Sequence, residues 1–254
     1  MRLKKILSLV FLAGILASLL FTLAIKGGKL WITSPFAFFY PVRGVDVSSH
    51  QGLIDWEVLA SADIDFAFIK ATEGSTFRDR QFSNNWQNAA KAGLRIGAYH
   101  FFSFESSGEK QAENFIATVE KIEHMLPPAI DLEFYGEYGK NQPEADPVRK
   151  NLRALSDRLE AHYGMKPVIY ATKSSYDKYV AGFFPDHDIW IRNIRFLPRL
   201  SDGRPWTFWQ YSNRTKLKGY EGQEDHIDLN FFRGDAVSFR RYPEGAARSK
   251  TAQR

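Results

Sequence analysis

The chain contains no cysteine among its 254 residues. This absence excludes a disulfide framework, an iron–sulfur cluster, a thiolate zinc site and a cysteine nucleophile. The sequence also lacks an H-E-x-x-H metal motif, a G-x-S-x-G nucleophile elbow and a G-x-G-x-x-G loop after its first predicted strand. The six histidines show no metal-ligand spacing, and we interpret Asp186-His187-Asp188 as a solvated turn. We therefore expect no cofactor and no metal.

Acidic residues are scarce at the two ends of the chain, and this explains the formal net charge of +5. Residues 1–42 carry five basic side chains and no acidic one, and residues 240–254 carry five basic side chains beside Glu244. Residues 43–239 hold 24 basic and 28 acidic side chains, so the central region is mildly acidic. Nucleic-acid binding needs a basic face on the folded domain and is not expected here.

The N-terminus combines a basic start with a long apolar run. Residues 6–25 contain no charge, and twenty such residues are enough to cross a hydrocarbon core of about 30 Å as a helix. Residues 1–26 are therefore predicted to be a signal anchor, or a signal peptide if they are cleaved. In either case we expect an exported protein of the cell envelope. An uncleaved segment would hold it in the membrane with the folded domain outside the cytoplasm.

From Arg43 onward, short strand-like runs alternate with amphipathic helical patterns. Val148, Leu152, Leu155 and Leu159 show helical spacing, for example. The predicted strands are 44–48, 66–72, 95–102, 128–134, 167–173, 188–194, 206–212 and 226–232. Such alternation indicates parallel β/α units, and eight strands favour closure into a barrel. We divide the chain into a juxtamembrane linker over 27–42, a monomeric α/β barrel over 43–242 and a disordered basic tail over 243–254.

Carboxylates interrupt three otherwise apolar strands. Asp131 and Glu133 are two residues apart and share one face of their strand, because side chains alternate along a strand. Asp46 and Asp228 lie in the same way inside the first and last strands. Burying an ionised carboxylate is costly, so this pattern indicates a shared acidic site at one end of the barrel. The alternative is a structural salt bridge, for example with Lys70. A second D-x-E pair, at Asp55 and Glu57, is predicted to begin a helix instead.

Several motifs together resemble glycoside hydrolase family 25, the Chalaropsis-type lysozymes. They are GVDVSSHQGLIDW (44–56), FIKATEG (68–74), GAYHFF (97–102), IDLEF (130–134), VIYAT (168–172), FWQYS (208–212) and HIDLNFF (226–232). The resemblance runs from Arg43 to Phe239 in the family's order. It implies a modified TIM-like barrel with five β/α units and three final strands. It also implies hydrolysis of the β-1,4 bond between N-acetylmuramic acid and N-acetylglucosamine in peptidoglycan.

The resemblance also implies roles for particular residues. Glu133 corresponds to the general acid, Asp131 to the carboxylate that stays ionised and assists at the 2-acetamido group, and Asp46 and Asp228 to flanking acids. The positions implied to bind sugar are Tyr99, Trp209 and Tyr211, with Gln51, Lys70 and Gln210 as weaker matches. One departure is Asn193, which stands where the family commonly has an aromatic residue.

Other functions remain open at this level. The same barrel would serve as a peptidoglycan-binding module without turnover, or as a hydrolase of chitin-like N-acetylglucosamine polymers. Retention and inversion of the anomeric configuration are likewise both open, because the separation of the carboxyl groups is not readable from the sequence.

Overall fold

The computed structural model describes residues 2–26 and 39–244. Residues 27–38 of the predicted linker and 245–254 of the predicted basic tail lie outside the described residues. The strands are β1 Arg43–Val47, β2 Leu53–Ile54, β3 Phe66–Glu73, β4 Phe77–Arg78, β5 Arg95–Phe101, β6 Ala129–Leu132, β7 Val168–Thr172, β8 Ile189–Arg192, β9 Phe208–Thr215, β10 Tyr220–Glu221 and β11 Ile227–Phe232. The α-helices are α1 Arg2–Lys26, α2 Trp56–Ala60, α3 Phe82–Lys91, α4 Gly108–Ile116, α5 Ala145–Tyr163, α6 Lys173–Ser175 and α7 Ala236–Arg241. Short 3₁₀-helices cover Ser49–Gln51 and Gly136–Gly139, and a π-helical turn covers Tyr176–Val180.

Eight of the strands close into a barrel in the order β1, β3, β5, β6, β7, β8, β9, β11, and β11 then pairs with β1. Seven of these strands are parallel to one another, and β11 is antiparallel to both of its neighbours. The predicted α/β barrel is confirmed, and each of the eight predicted strands overlaps an observed one. Asp55 caps α2 as predicted, accepting a hydrogen bond from the Val58 backbone N–H at 3.1 Å.

The two faces of the barrel strands bury different clusters. Outward-facing residues such as Val45, Ile130 and Ile191 pack under the helices. Inward-facing aromatic rings fill the end of the barrel where the parallel strands begin, and Phe239 and Tyr242 from the α7 region close that end. A Cβ on Gly97 would lie 2.6 Å from the Phe68 ring, so glycine is needed there to admit the ring. Apolar side chains thus fill one end, which leaves the opposite, carboxyl ends of the parallel strands for polar groups.

The N-terminal helix stands apart from this packing. Its side chains are described at Leu7 and over 10–23, and all of them are exposed. Counting only the residues whose side chains are described, which form the continuous run 10–23 in this helix, no helix has the length of apolar sequence that crossing a membrane requires. Tyr40, which lies in the segment predicted as a linker, packs on the barrel with its ring 5.2 Å from that of Trp206.

Candidate active site

A cavity of about 280 Å³ opens at the carboxyl ends of the parallel strands. Seven of the predicted site residues line it, namely Asp46, Lys70, Tyr99, Asp131, Glu133, Gln210 and Asp228. A larger cavity of about 1020 Å³ lies at the opposite end, beside α7. It mixes basic and acidic side chains and is lined by none of the predicted site residues. We assign the chemistry to the smaller cavity, because the inward-facing carboxylates converge there.

Strand alternation brings Asp131 and Glu133 to the cavity. Ile130 and Leu132 face outward into the core beneath the helices, so Asp131 on β6 and Glu133 just after it point the other way. Asp131 is buried, with 8% of its surface exposed, and its Oδ1 atom has no hydrogen-bond partner within the described part of the chain. An unpartnered buried carboxylate oxygen marks a place where a bound group would donate a hydrogen bond.

Asp46 and Asp228 face each other across the β1–β11 pair and share one amide. The Nε2 group of Gln210 donates to Asp46 Oδ2 at 2.9 Å and to Asp228 Oδ2 at 2.9 Å. Asn230 Nδ2 donates to Asp46 Oδ2 at 2.7 Å. These two carboxylates are thus held by neutral donors, while Asp131 and Glu133 stay available at the other side of the cavity.

Burial raises the pKa of all four carboxyl groups, and the charges of neighbouring carboxylates add to the rise at Asp131, Glu133 and Asp228. Burial raises the pKa of Asp46 to about 6 against its hydrogen bonds from Asn230 and Gln210. Burial, together with the charge of Asp46, raises the pKa of Asp228 to about 8. The pKa of Glu133 is also raised, first by burial, while the positive charge of Arg192 opposes the rise. Carboxyl groups that share a site in this way retain protons to higher pH than isolated carboxyl groups do, which favours acid catalysis.

The surroundings of Asp131 do not favour the predicted ionised state. Burial raises its pKa well above the ordinary value, and the neighbouring charge of Glu133 adds to the rise. Lys70 opposes it but is itself engaged by Glu73, with Nζ 2.8 Å from Glu73 Oε2. The alternative of a structural salt bridge between Lys70 and the Asp131–Glu133 pair is therefore wrong. The Lys70 ammonium also lies over the Phe101 ring, 4.8 Å from its centroid.

Three residues that the resemblance implied for sugar binding lie elsewhere. Trp209 and Tyr211 are on the outward face of β9, opposite to Gln210, where Tyr211 stacks on Phe231 at 3.8 Å. The prediction that they line the groove is corrected for that reason. Gln51 is buried beside the rim, where its Oε1 accepts from the Ser48 N–H and its Nε2 donates to Glu224. These hydrogen bonds hold the loop that contains Gln51 in place, and the Gln51 side chain does not line the cavity.

Asn193 and His187 also take structural positions. The Asn193 side chain accepts hydrogen bonds from the backbone N–H groups of Arg195 and Phe196, which closes a turn after β8. His187 was expected in a solvated turn, but it is buried, and its Nε2 lies 2.7 Å from Ser156 Oγ. Within residues 2–26 and 39–244 no cluster of three or more His, Cys, Asp or Glu side chains is arranged to hold a metal.

The structure adds residues to the site that sequence reasoning missed. Tyr170 and Trp190 line the cavity, and Asn230 is fully buried against Asp46. Arg192 faces inward two residues after Trp190, and its charge acts on Asp46, Glu133 and Asp228. Asn230 has a readable signal, because it follows Asp228 by two residues and so shares its face.

Comparison with known proteins agrees with this geometry. The model of the family "Glycosyl hydrolases family 25" matches residues 45–220. Lysozyme M1 of Streptomyces globisporus is 34% identical over 209 residues, which is 77% of this chain and 69% of that protein. The structure of a family 25 glycosyl hydrolase from Bacillus anthracis is 53% identical with a TM-score of 0.77, covering 80% of this chain and 94% of that one. A bacterial lysozyme from Streptomyces coelicolor has a TM-score of 0.69 at 32% identity, covering 79% of this chain and 95% of that one.

The family match covers Asp46, Asp131 and Glu133, and the structural likeness covers most of the barrel. The chain belongs to glycoside hydrolase family 25.

Proposed function

We propose that this protein is a lysozyme that hydrolyses the β-1,4 bond between N-acetylmuramic acid and N-acetylglucosamine in peptidoglycan. The observation that carries the proposal is the pair Asp131 and Glu133, which face one cavity at the carboxyl ends of the strands. Glycoside hydrolysis requires one carboxylic acid that donates a proton and a second group that handles the oxocarbenium-like centre. The names of the similar proteins, which are lysozymes, support the same activity.

In the proposed mechanism Glu133 donates its proton to the glycosidic oxygen as the bond to the anomeric carbon breaks. Asp131 and Glu133 both have a raised pKa, so the pair retains a proton to higher pH than isolated carboxyl groups do. The acetamido N–H of the sugar would donate to the unpartnered Oδ1 of Asp131. That bond favours ionised Asp131 and leaves the proton on Glu133.

Two routes to product fit the same residues. With Asp131 orienting the acetamido group, its carbonyl oxygen attacks the anomeric carbon, and water then opens the cyclic intermediate with net retention. Alternatively, water attacks directly and the configuration inverts. The inward-facing ring of Tyr99 and the side chains of Lys70 and Gln210 are proposed to contact the sugar, with Asp46 and Asp228 as flanking acids.

The test measures reducing ends released from purified peptidoglycan and from chitin oligomers by the whole protein. Release from peptidoglycan alone supports the proposal. Release from chitin oligomers at an equal or higher rate would favour an N-acetylglucosamine polymer as the substrate. Binding to peptidoglycan without release from either substrate would make the protein a binding module.

We also propose that residues 6–25 direct export and tether the barrel at the outer side of the membrane. The support is the uncharged run itself, the exposed apolar side chains described over 10–23, and the basic residues Arg2, Lys4 and Lys5 before it. Membrane fractionation with N-terminal sequencing tests this. A soluble exported form that begins at residue 28 or later would identify the segment as a cleaved signal peptide.

A further inference from the structure

The site contains two side-chain amides, those of Gln210 and Asn230, and a hydrogen bond to the carbonyl oxygen of each fixes its orientation. The Tyr170 hydroxyl donates to Gln210 Oε1 at 3.0 Å, and Trp190 Nε1 donates to Asn230 Oδ1 at 2.7 Å. Both contacts are buried. When a donor on one side holds the carbonyl oxygen of an amide, the amide nitrogen points to the other side. In both residues that nitrogen faces Asp46.

The two amides donate more hydrogen bonds to Asp46 than to Asp228. Asp46 accepts hydrogen bonds from both Gln210 and Asn230, while Asp228 accepts one from Gln210. Hydrogen bonds from N–H groups favour the ionised form of a carboxylate. Geometry alone therefore makes Asp46 the stronger acid of the two, and the pKa values of about 6 for Asp46 and about 8 for Asp228 follow the same order.

We propose that Tyr170 is a positioning residue that locks the amide of Gln210 with its nitrogen toward Asp46 and Asp228, and so keeps Asp46 ionised while Asp228 holds a proton. This inference rests on the proposed hydrolase function of the same site. Without the Tyr170 hydroxyl, only Asp46 and Asp228 hold the Gln210 amide, and protonation of these carboxyl groups then lets the amide turn by 180°. Its oxygen would then face two carboxyl groups, and both would favour their protonated forms.

Asp46 is surrounded by other ionisable groups whose charges enter the same balance. They are His50 and Glu224 at the rim, Lys70 from β3, Tyr99 from β5, Asp131 from β6, Glu133 just after β6, Arg192 from β8 and Asp228 from β11. None of these side chains is altered when Tyr170 loses its hydroxyl. A change in the titration of Asp46 would therefore report a change in the orientation of the Gln210 amide.

The first experiment compares the full-length protein with Tyr170→Phe, using kcat/KM on purified peptidoglycan against pH and carboxyl ¹³C NMR to titrate Asp46. We expect the Asp46 titration to move to higher pH by about one unit, a change of about tenfold in the ionisation constant. The kcat/KM profile, recorded on the same samples, shows whether turnover follows the ionisation of Asp46. The shift is upward because the variant loses N–H bonds to the ionised form. Asp46→Asn assigns the resonance.

The matched control is Tyr163→Phe. Tyr163 is equally buried, and its hydroxyl makes one hydrogen bond to the Val119 carbonyl at 2.8 Å, outside the cavity. We expect this variant to lose stability without a change in the Asp46 titration or in the pH profile of kcat/KM. An equal shift in both variants, or an unchanged Asp46 titration in Tyr170→Phe, would overturn the positioning role.

The second experiment repeats the comparison in a Gln210→Leu background, where no amide remains to be oriented. If Tyr170 acts through Gln210, its replacement by Phe then shifts the Asp46 titration no further. A full additional shift would mean that Tyr170 acts by another route and would overturn the inference. If the unaltered protein releases no reducing ends at any pH, the proposed function fails, while the NMR titrations still decide the role of Tyr170.

Discussion

Asp228 provides a direct test of the electrostatics of the site. Its pKa is raised from 3.8 to about 8, so the folded chain binds this proton more tightly than the unfolded chain. The sign follows from linkage: stability falls as pH rises through the interval between these two values. Asp228→Asn removes the titrating group, and Asn still accepts the hydrogen bond from Gln210. We therefore expect the variant to be more stable than the unaltered protein at neutral and alkaline pH.

The gain in the free energy of unfolding depends on how far the pH of the measurement lies above 3.8, the lower end of this interval. At pH 7 this difference spans about three units, which sets an upper limit of about 4 kcal/mol at 1.36 kcal/mol per unit. Asp46 and Glu133 contribute to the same repulsion, so we expect about half of this limit, or about 2 kcal/mol. For a domain of this size that gain raises Tm by about 4–8 °C. At pH 5 the difference is about one unit, and the gain should be below about 1 kcal/mol.

The assay is thermal unfolding at pH 5, 7 and 8 for the unaltered protein, for Asp228→Asn and for Asp157→Asn. Asp157 is exposed on α5, so this control removes the same charge outside the site. We expect it to change stability by less than about 0.5 kcal/mol at each pH. The reasoning is refuted if Asp228→Asn is no more stable than the unaltered protein at pH 8, or if its advantage does not grow with pH.

The further predictions concern activity on peptidoglycan. Arg192→Gln removes the positive charge that opposes the rise in the Glu133 pKa, so the base limb of the kcat/KM profile should move to higher pH. A base limb that does not move would argue against Glu133 as the acid. Tyr211→Phe should keep kcat/KM within about twofold, because the Tyr211 ring stacks on Phe231 outside the cavity. A tenfold loss of kcat/KM would indicate that Tyr211 binds the sugar after all. Asp131→Asn should lower turnover by about 100-fold or more. NMR of the first product of the unaltered enzyme should show the retained anomer, whereas an inverted product would replace acetamido attack by direct attack of water.

Local sequence patterns were sufficient for the barrel and for its acidic positions. The runs around Asp46, Asp131 and Asp228 are short and apolar, and each places its carboxylate on the face opposite to the core residues. Closure puts those faces inside one barrel, so the cavity follows from alternation and topology together. No contact between distant residues had to be known for this part of the prediction.

Alternation also explains the principal error. Trp209, Gln210 and Tyr211 are consecutive, so a strand cannot direct all three side chains to one cavity. Gln210 faces inward with Asp46, and the two aromatic residues consequently face outward. The resemblance favoured the aromatic residues because sugars stack on rings, but the strand geometry excludes them here.

The supporting residues of the site were harder to find because they depend on tertiary contacts. Tyr170 and Trp190 lie in apolar strands and look like core residues in the sequence. Their roles emerge from hydrogen bonds that span 40 residues in each case, to Gln210 and to Asn230. Gln51 is the opposite case, since its position in a matching motif implied a substrate contact while its side chain fastens a loop.

The central claim is that Glu133 supplies the proton for cleavage of peptidoglycan, and Glu133→Gln tests it most directly. The matched control is Glu137→Gln, which alters an exposed glutamate four residues further along, in the 3₁₀-helix Gly136–Gly139. With Tm measured to establish folding, we expect Glu133→Gln to release reducing ends at least about 100-fold more slowly than the unaltered protein, and Glu137→Gln to match it. A folded Glu133→Gln protein with near-native release would contradict the account.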